Sequence, residues 1–113
     1  MLKKQNRLKN KKDFDEIFKR GKSFGSKILF LKIKDNKLNY NRFGFIVSQK
    51  VAKKAVVRNK IKRRLREIIR KENEKIKPGW DIVLIALPGI EKEEFTSLKE
   101  QINYLIKNAF KNN

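Results

Sequence analysis

The sequence predicts an α/β (α+β) sandwich in the order helix, strand, strand, helix, strand, helix, with one strand able to split in two at a bend and the helices packed on a small mixed sheet. Three observations carry this. Short apolar runs of strand length alternate with segments whose apolar residues recur every three or four positions. Turn-forming clusters of Gly, Pro and Asn separate these segments. The chain's 113 residues, without internal repeat or linker, suit one core and hence one domain, 1–113.

Residues 1–12 hold six basic residues and are expected to form a flexible or wrapping basic arm. A short helix follows, with Asn10 and Asp13 as its capping end, Phe14, Ile17 and Phe18 on one face, and Gly21 as its stop. Ile28 to Ile33 and Phe43 to Val47 read as strands, and the Asn-rich Asp35 to Asn41 between them predicts an antiparallel hairpin. A less regular stretch, Ser48 to Val57, leads into a basic helix from about Arg58 to Ile76, ended by Pro78-Gly79. Trp80 to Leu87 alternates poorly and predicts a strand buried on both faces, and Pro88-Gly89 turns the chain. Phe95, Leu98, Ile102, Leu105, Ile106 and Ala109 then fall on one stripe of a last helix, whose acidic start (Glu91, Glu93, Glu94) suits the helix dipole.

The formal charge is +19, and its placement matters more than its size. Residues 50–70 carry ten basic residues against one acid, residues 1–27 carry ten against three, and residues 81–113 are close to neutral. A single-sign block of this kind attracts a polyanion and releases its counterions on binding. Five of the eight Arg (Arg58, Arg63, Arg64, Arg66, Arg70) fall within residues 58–70. Guanidinium groups grip phosphate oxygens bidentately and stack on bases, which ammonium groups cannot do. The competing reading is a solvated helix face that is merely basic.

With Arg58 at 0° and about 100° per residue, Ile61, Leu65, Ile68 and Ile69 occupy a core-facing stripe from roughly 280° to 20°. Asn59, Arg63, Arg66 and Arg70, at about 80° to 140°, form an outward ridge. Arg58 and Lys62 sit at the stripe's edge, where they either line a groove between helix and sheet or snorkel over the core. Lys60 and Arg64 widen the field on the other flank.

The chain contains no Cys and no His. That removes disulfides, the usual zinc sites, thiol nucleophiles and every His-based triad. No apolar run reaches the roughly 20 residues of a membrane span, and the basic N-terminus leads into no signal core, so a cytoplasmic location is expected. Ser48 has no base to activate it and suits a phosphate hydrogen bond.

Two segments joined at a fitting distance are more specific than charge. The first is Phe43-Gly44-Phe45-Ile46-Val47-Ser48-Gln49-Lys50; the second is Ala55-Val56-Val57-Arg58-Asn59-Lys60-Ile61-Lys62-Arg63-Arg64-Leu65-Arg66-Glu67. Together with the early Arg7-Leu8, the Asp13-Phe14 to Phe18 helix and the Asp81 to Ala86 strand, they resemble the protein subunit of bacterial ribonuclease P. The resemblance implies a ribonucleoprotein endonuclease in which a catalytic RNA removes the 5′ leader of precursor tRNA with Mg²⁺ held at the RNA, not at a dedicated protein site. It implies no catalytic residue in this chain, the ribonuclease P RNA and precursor tRNA as partners, and no membrane or obligate protein partner. By the same resemblance, Arg58, Asn59, Lys60, Lys62, Arg63 and Arg66 contact the catalytic RNA, and Phe14, Phe18, Ser48 and Lys50 line the leader cleft. Phe14 and Phe18, at i and i+4, are on residue spacing alone either stacking surfaces or ordinary core.

Two other functions share the composition. A ribosomal or other structural RNA-binding protein would show no leader dependence. A metal-dependent protein nuclease would need carboxylates to converge, for which Asp13, Asp15 and Glu16 are the only clustered set on the first helix.

Overall fold

The computed structural model describes residues 3–111; Met1 and Leu2, the first two residues of the expected arm, lie outside the described residues. Three helices, Lys11–Arg20 (α1), Ala55–Glu72 (α2) and Phe95–Ala109 (α3), pack on four strands, Lys22–Gly25 (β1), Leu29–Asp35 (β2), Arg42–Ile46 (β3) and Trp80–Ala86 (β4). Short 3-10 turns occupy Lys4–Asn6, Asn73–Lys75 and Ile90–Lys92. Among the described residues no helix is long and apolar enough to cross a membrane.

The strand order is β1-β2-β4-β3, with β1, β2 and β4 antiparallel in sequence and β3 parallel to β4. The expected hairpin between the second and third strands is therefore corrected, because β4 lies between them. The reason is burial. Ile82, Val83 and Leu84 are fully inaccessible, and only a central position covers both faces and both edges of such a strand. The observed hairpin is β1 with β2, closed at Ser26, whose N–H donates to the Leu29 carbonyl at 2.8 Å. A turn, rather than a bend within one strand, thus supplies the fourth strand.

Strand alternation sends Leu29, Leu31, Ile33, Phe43, Ile82 and Leu84 to one face, where they pack with Ile61, Leu65, Ile68 and Ile69 of α2 and Leu98, Ile102 and Leu105 of α3. The other face carries a smaller core of Leu8, Ile17 and Val83, flanked by the half-buried Phe14, Ile46 and Ile85. One ten-residue helix covers it, so part of the sheet stays open. The β3 edge is shielded instead by the N-terminal arm: Arg7 bridges Phe43, and the Leu8 N–H donates to the Phe43 carbonyl at 2.8 Å.

Several local expectations change in detail. α2 begins at Ala55, three residues early, because the Lys54 carbonyl already accepts from the Val57 and Arg58 N–H groups; it ends at Glu72 and tightens into the 3-10 turn before Ile76. Asn10 precedes α1 but makes no side-chain cap, and Gly21 ends the helix in extended backbone rather than a left-handed turn. Glycine is needed there for proximity: a Cβ would lie 2.5 Å from the Ile17 carbonyl oxygen and 2.9 Å from that of Ile33. The strand β4 stops at Ala86, since the Leu87 N–H turns to the Ile28 carbonyl. Phe95, expected on the buried stripe of α3, is 40% exposed as the first residue of the helix.

Candidate nucleic-acid interface

The wheel reading of α2 holds at its core stripe, where Ile61, Leu65, Ile68 and Ile69 are all at most 5% exposed. On the opposite side Asn59, Arg63 and Arg66 are exposed; on the flank Lys60 is exposed and Arg64 half-buried, and Lys62 at the stripe's edge is half-buried. The ridge members differ in their commitments. Arg70 donates to Glu67 at 2.7 Å, a contact that holds the Glu67 carboxyl below its usual range, so its charge is partly neutralised within the helix. Arg66 lies over the Phe45 ring, 5.9 Å from its centroid, in a cation–π arrangement. Arg58 neither emerges into a groove nor simply snorkels: one guanidinium nitrogen donates to the Ala52 and Lys53 carbonyls at 2.9 and 2.7 Å. It ties the loop after β3 to the start of α2.

The open part of the α1 face is built by the register. Lys32, Val83 and Gly44 align across β2, β4 and β3 beneath α1, and the next row is Phe30, Ile85 and Ile46. In that second row Phe30 is 41% exposed and its two neighbours are half-buried. Phe18 reaches this border from α1, 39% exposed, with the Lys32 ammonium 5.7 Å from its ring centroid. Phe14 is tucked further in. Its ring sits so close to Gly44 that a Cβ there would approach it to 2.6 Å. Ser48 and Lys50 follow β3, two and four residues past Ile46, both exposed; the Ser48 carbonyl accepts from Val51 and forms the turn that carries Lys50.

Around the β3 edge, a cleft of about 180 Å³ joins the two sides, lined among others by Arg7, Lys9, Phe14, Gly44, Phe45 and Arg66. Cations and aromatic rings thus interleave from the sheet face to the α2 ridge, the combination that holds single-stranded nucleic acid. Phe14 and Phe18 share one border, Ser48 and Lys50 lie at the C-terminal end of β3, and the α2 set occupies the other side of the sheet. Sequence reasoning missed Phe30, Ile46 and Ile85, as well as Arg7, Lys9 and Phe45. Period-two alternation could have found Phe30, because Leu29, Leu31 and Ile33 claim the core side and leave Phe30 and Lys32 on the other.

Two of the three α1 acids, Asp13 and Glu16, have structural partners. Arg42 donates through Nε and Nη2 to Asp81 at 2.8 and 2.7 Å and through Nη1 to Asp13 at 3.2 Å; Asn36 adds a bond to Asp81 at 2.9 Å. The Asp81 hydrogen bond, more than the charges around it, raises the Arg42 pKa above its ordinary value. Glu16 pairs with Arg20 at 2.9 Å. Among the described residues no three His, Cys, Asp or Glu side chains converge as a metal site. With Asp13 engaged by Arg42 and Glu16 by Arg20, the α1 acids do not converge on a two-metal centre.

Known proteins resemble the chain along nearly its whole length. A family model described as "Ribonuclease P" matches residues 2–110. A ribonuclease P protein component from Alkaliphilus oremlandii is 39% identical over 106 residues, covering 94% of this chain and 92% of its own. Another from Clostridioides difficile is 43% identical over 101 residues, covering 88% of each. A solved structure of the Staphylococcus aureus RNase P protein superposes with a TM-score of 0.85 at 30% identity, covering 92% of this chain and 94% of that one. The sequence motifs, the mixed sheet with its basic helix, and these likenesses agree: the chain belongs to the ribonuclease P protein family, the protein subunits of the tRNA-processing endoribonuclease.

Proposed function

We propose that the subunit works by holding two RNA elements on two surfaces joined at the β3 edge. On α2, Asn59, Lys60, Lys62, Arg63 and Arg66 dock the catalytic RNA by neutralising backbone phosphates, and Arg58 shapes the start of that helix while adding its charge. On the sheet, Phe18 and Phe14 offer ring faces to unpaired bases of the 5′ leader of precursor tRNA, and Ser48 and Lys50 meet leader phosphates at the end of β3. Mg²⁺ belongs to the RNA in this reading, where it supplies the charge stabilisation for phosphodiester hydrolysis. The chain contributes position and field, works in the cytoplasm and needs no second protein.

The observation that carries the proposal is the half-open row of Phe30, Ile85 and Ile46 beside Phe18, an apolar strip bordered by Lys32. A protein that only neutralised a folded RNA would have no use for such a strip. The test is a pair of variants. Arg63→Ala should weaken the catalytic RNA and leave the advantage of leader-bearing over leaderless substrate intact, whereas Phe18→Ala should do the reverse. Equal effects of both variants on both measurements would reject the division of labour.

A further inference from the structure

The C-terminal ends of α2 and α3 and the start of β4 enclose a cavity of about 430 Å³ that shares no residue with the interface described above. Its volume falls in the range of small-molecule sites. One lining residue contradicts the pattern of its helix. Glu72 occupies the core stripe of α2, three and four positions after Ile69 and Ile68, and its side chain is 7% exposed. Its ion partner Lys75, 3.3 Å from one carboxylate oxygen, is itself 72% exposed. Burying a carboxylate is unfavourable unless its acceptor sites are used, and an ionised carboxylate has about four of them.

The wall beside it is aromatic. Trp80 and Phe110 meet edge to face, centroids 5.1 Å apart and planes inclined by 69°, and both are only half-buried. Lys77 and Lys107 line the same cavity and are exposed. The site therefore combines ring surfaces, an acceptor-only group and cations.

We propose that this cavity is a guanine-nucleotide subsite, with the base against Trp80 and Phe110, its Watson–Crick edge on Glu72 and its phosphate toward Lys77 and Lys107. The choice of base follows from donor geometry. Guanine alone presents two adjacent donors, N1–H and N2–H, that match the two oxygens of a carboxylate. Adenine and cytosine turn a ring acceptor toward Glu72, and uracil offers one donor between two acceptors. The same guanine and phosphate chemistry comes either from a free nucleotide or from an unpaired guanosine of a bound RNA.

The chain has a single tryptophan, so Trp80 fluorescence reads this cavity directly. Titration of the free protein with GMP, AMP, and two short single-stranded oligoribonucleotides, all-adenosine or with one central guanosine, distinguishes the sources. GMP should quench Trp80 and bind about tenfold or more tighter than AMP, the discrimination expected of a bidentate pair. Glu72→Gln should bring the two within about threefold, and Lys107→Glu, at an exposed position, should weaken GMP while sparing guanosine. Tighter binding of the guanosine oligonucleotide than of GMP identifies an RNA base as the occupant; tighter binding of GMP identifies the free nucleotide. Equal quenching by GMP and AMP would overturn the proposal, as would unchanged GMP preference in a folded Glu72→Gln variant. Should that variant not fold, the GMP-to-AMP ratio in the parent protein and the Lys107→Glu result still decide. Neither depends on leader binding, so this idea and the proposed function fail separately.

Discussion

Phe14 and Phe18 look alike in the sequence, one helical turn apart, yet their surroundings give them different duties. Phe18 is 39% exposed, whereas Phe14 fills the space over Gly44. Phe18→Ala should therefore leave thermal stability within about 0.5 kcal/mol. Its expected cost is about 1 to 3 kcal/mol of leader-dependent affinity, measured as the difference between leader-bearing and leaderless precursor. Phe14→Ala is a poorer test because it also opens the smaller core. Gly44→Ala probes the same packing from beneath: its Cβ must push the Phe14 ring away, so melting should show a loss of about 1 to 3 kcal/mol, and unchanged stability would mean that the ring is not held there. Arg58 shows why some site residues escape a sequence reading. The Arg-Asn pair was visible as chemistry, but its bonds to the Ala52 and Lys53 carbonyls depend on how the loop after β3 folds back.

At the scale of elements, periodicity revealed the core stripes of α2 and α3 because each helix turns one apolar face to the same sheet. Strand adjacency was not visible. The Asn-rich link between β2 and β3 looked like a hairpin turn, and only the demand of β4 for cover on every side separates those strands. The open row of Phe30, Ile85 and Ile46 was hidden for the same reason, since it exists only once β4 lies between its neighbours. Arg42 holds this arrangement together by pairing Asp81 at the start of β4 with Asp13 of α1. Asp81 is 5% exposed, so Asp81→Asn leaves Arg42 without its main partner. Urea denaturation should show a loss of about 3 kcal/mol, and a variant as stable as the parent would show that the pair does not lock the elements. The α2 ridge makes a separate prediction: Arg63→Ala should weaken catalytic-RNA binding and lower the salt slope by about one unit, with stability unchanged at this exposed site.

Across the whole molecule, most of the +19 charge lies in residues 1–27 and 50–70, and the last third of the chain, nearly neutral, supplies much of the packing. If about 6 to 10 phosphates are neutralised, RNA affinity should fall by roughly 10³ to 10⁵ between 50 and 200 mM salt on the duplex scale, and somewhat less for single strands. A flat response would mean that charge is not the source of affinity. If the subunit's role is to position RNA for the holoenzyme, the protein incubated alone with precursor tRNA should cleave nothing, and cleavage by the protein alone would contradict that role. The most direct measurement is reconstitution with the ribonuclease P RNA of the same cell at limiting Mg²⁺, comparing a precursor that carries a long 5′ leader with one whose leader is cut back to a single nucleotide, so that both retain the scissile bond. The subunit should stimulate cleavage of the long-leader precursor well above that of its shortened counterpart. Stimulation that is equal for both, or absent, would contradict the assignment of the open sheet face to the leader.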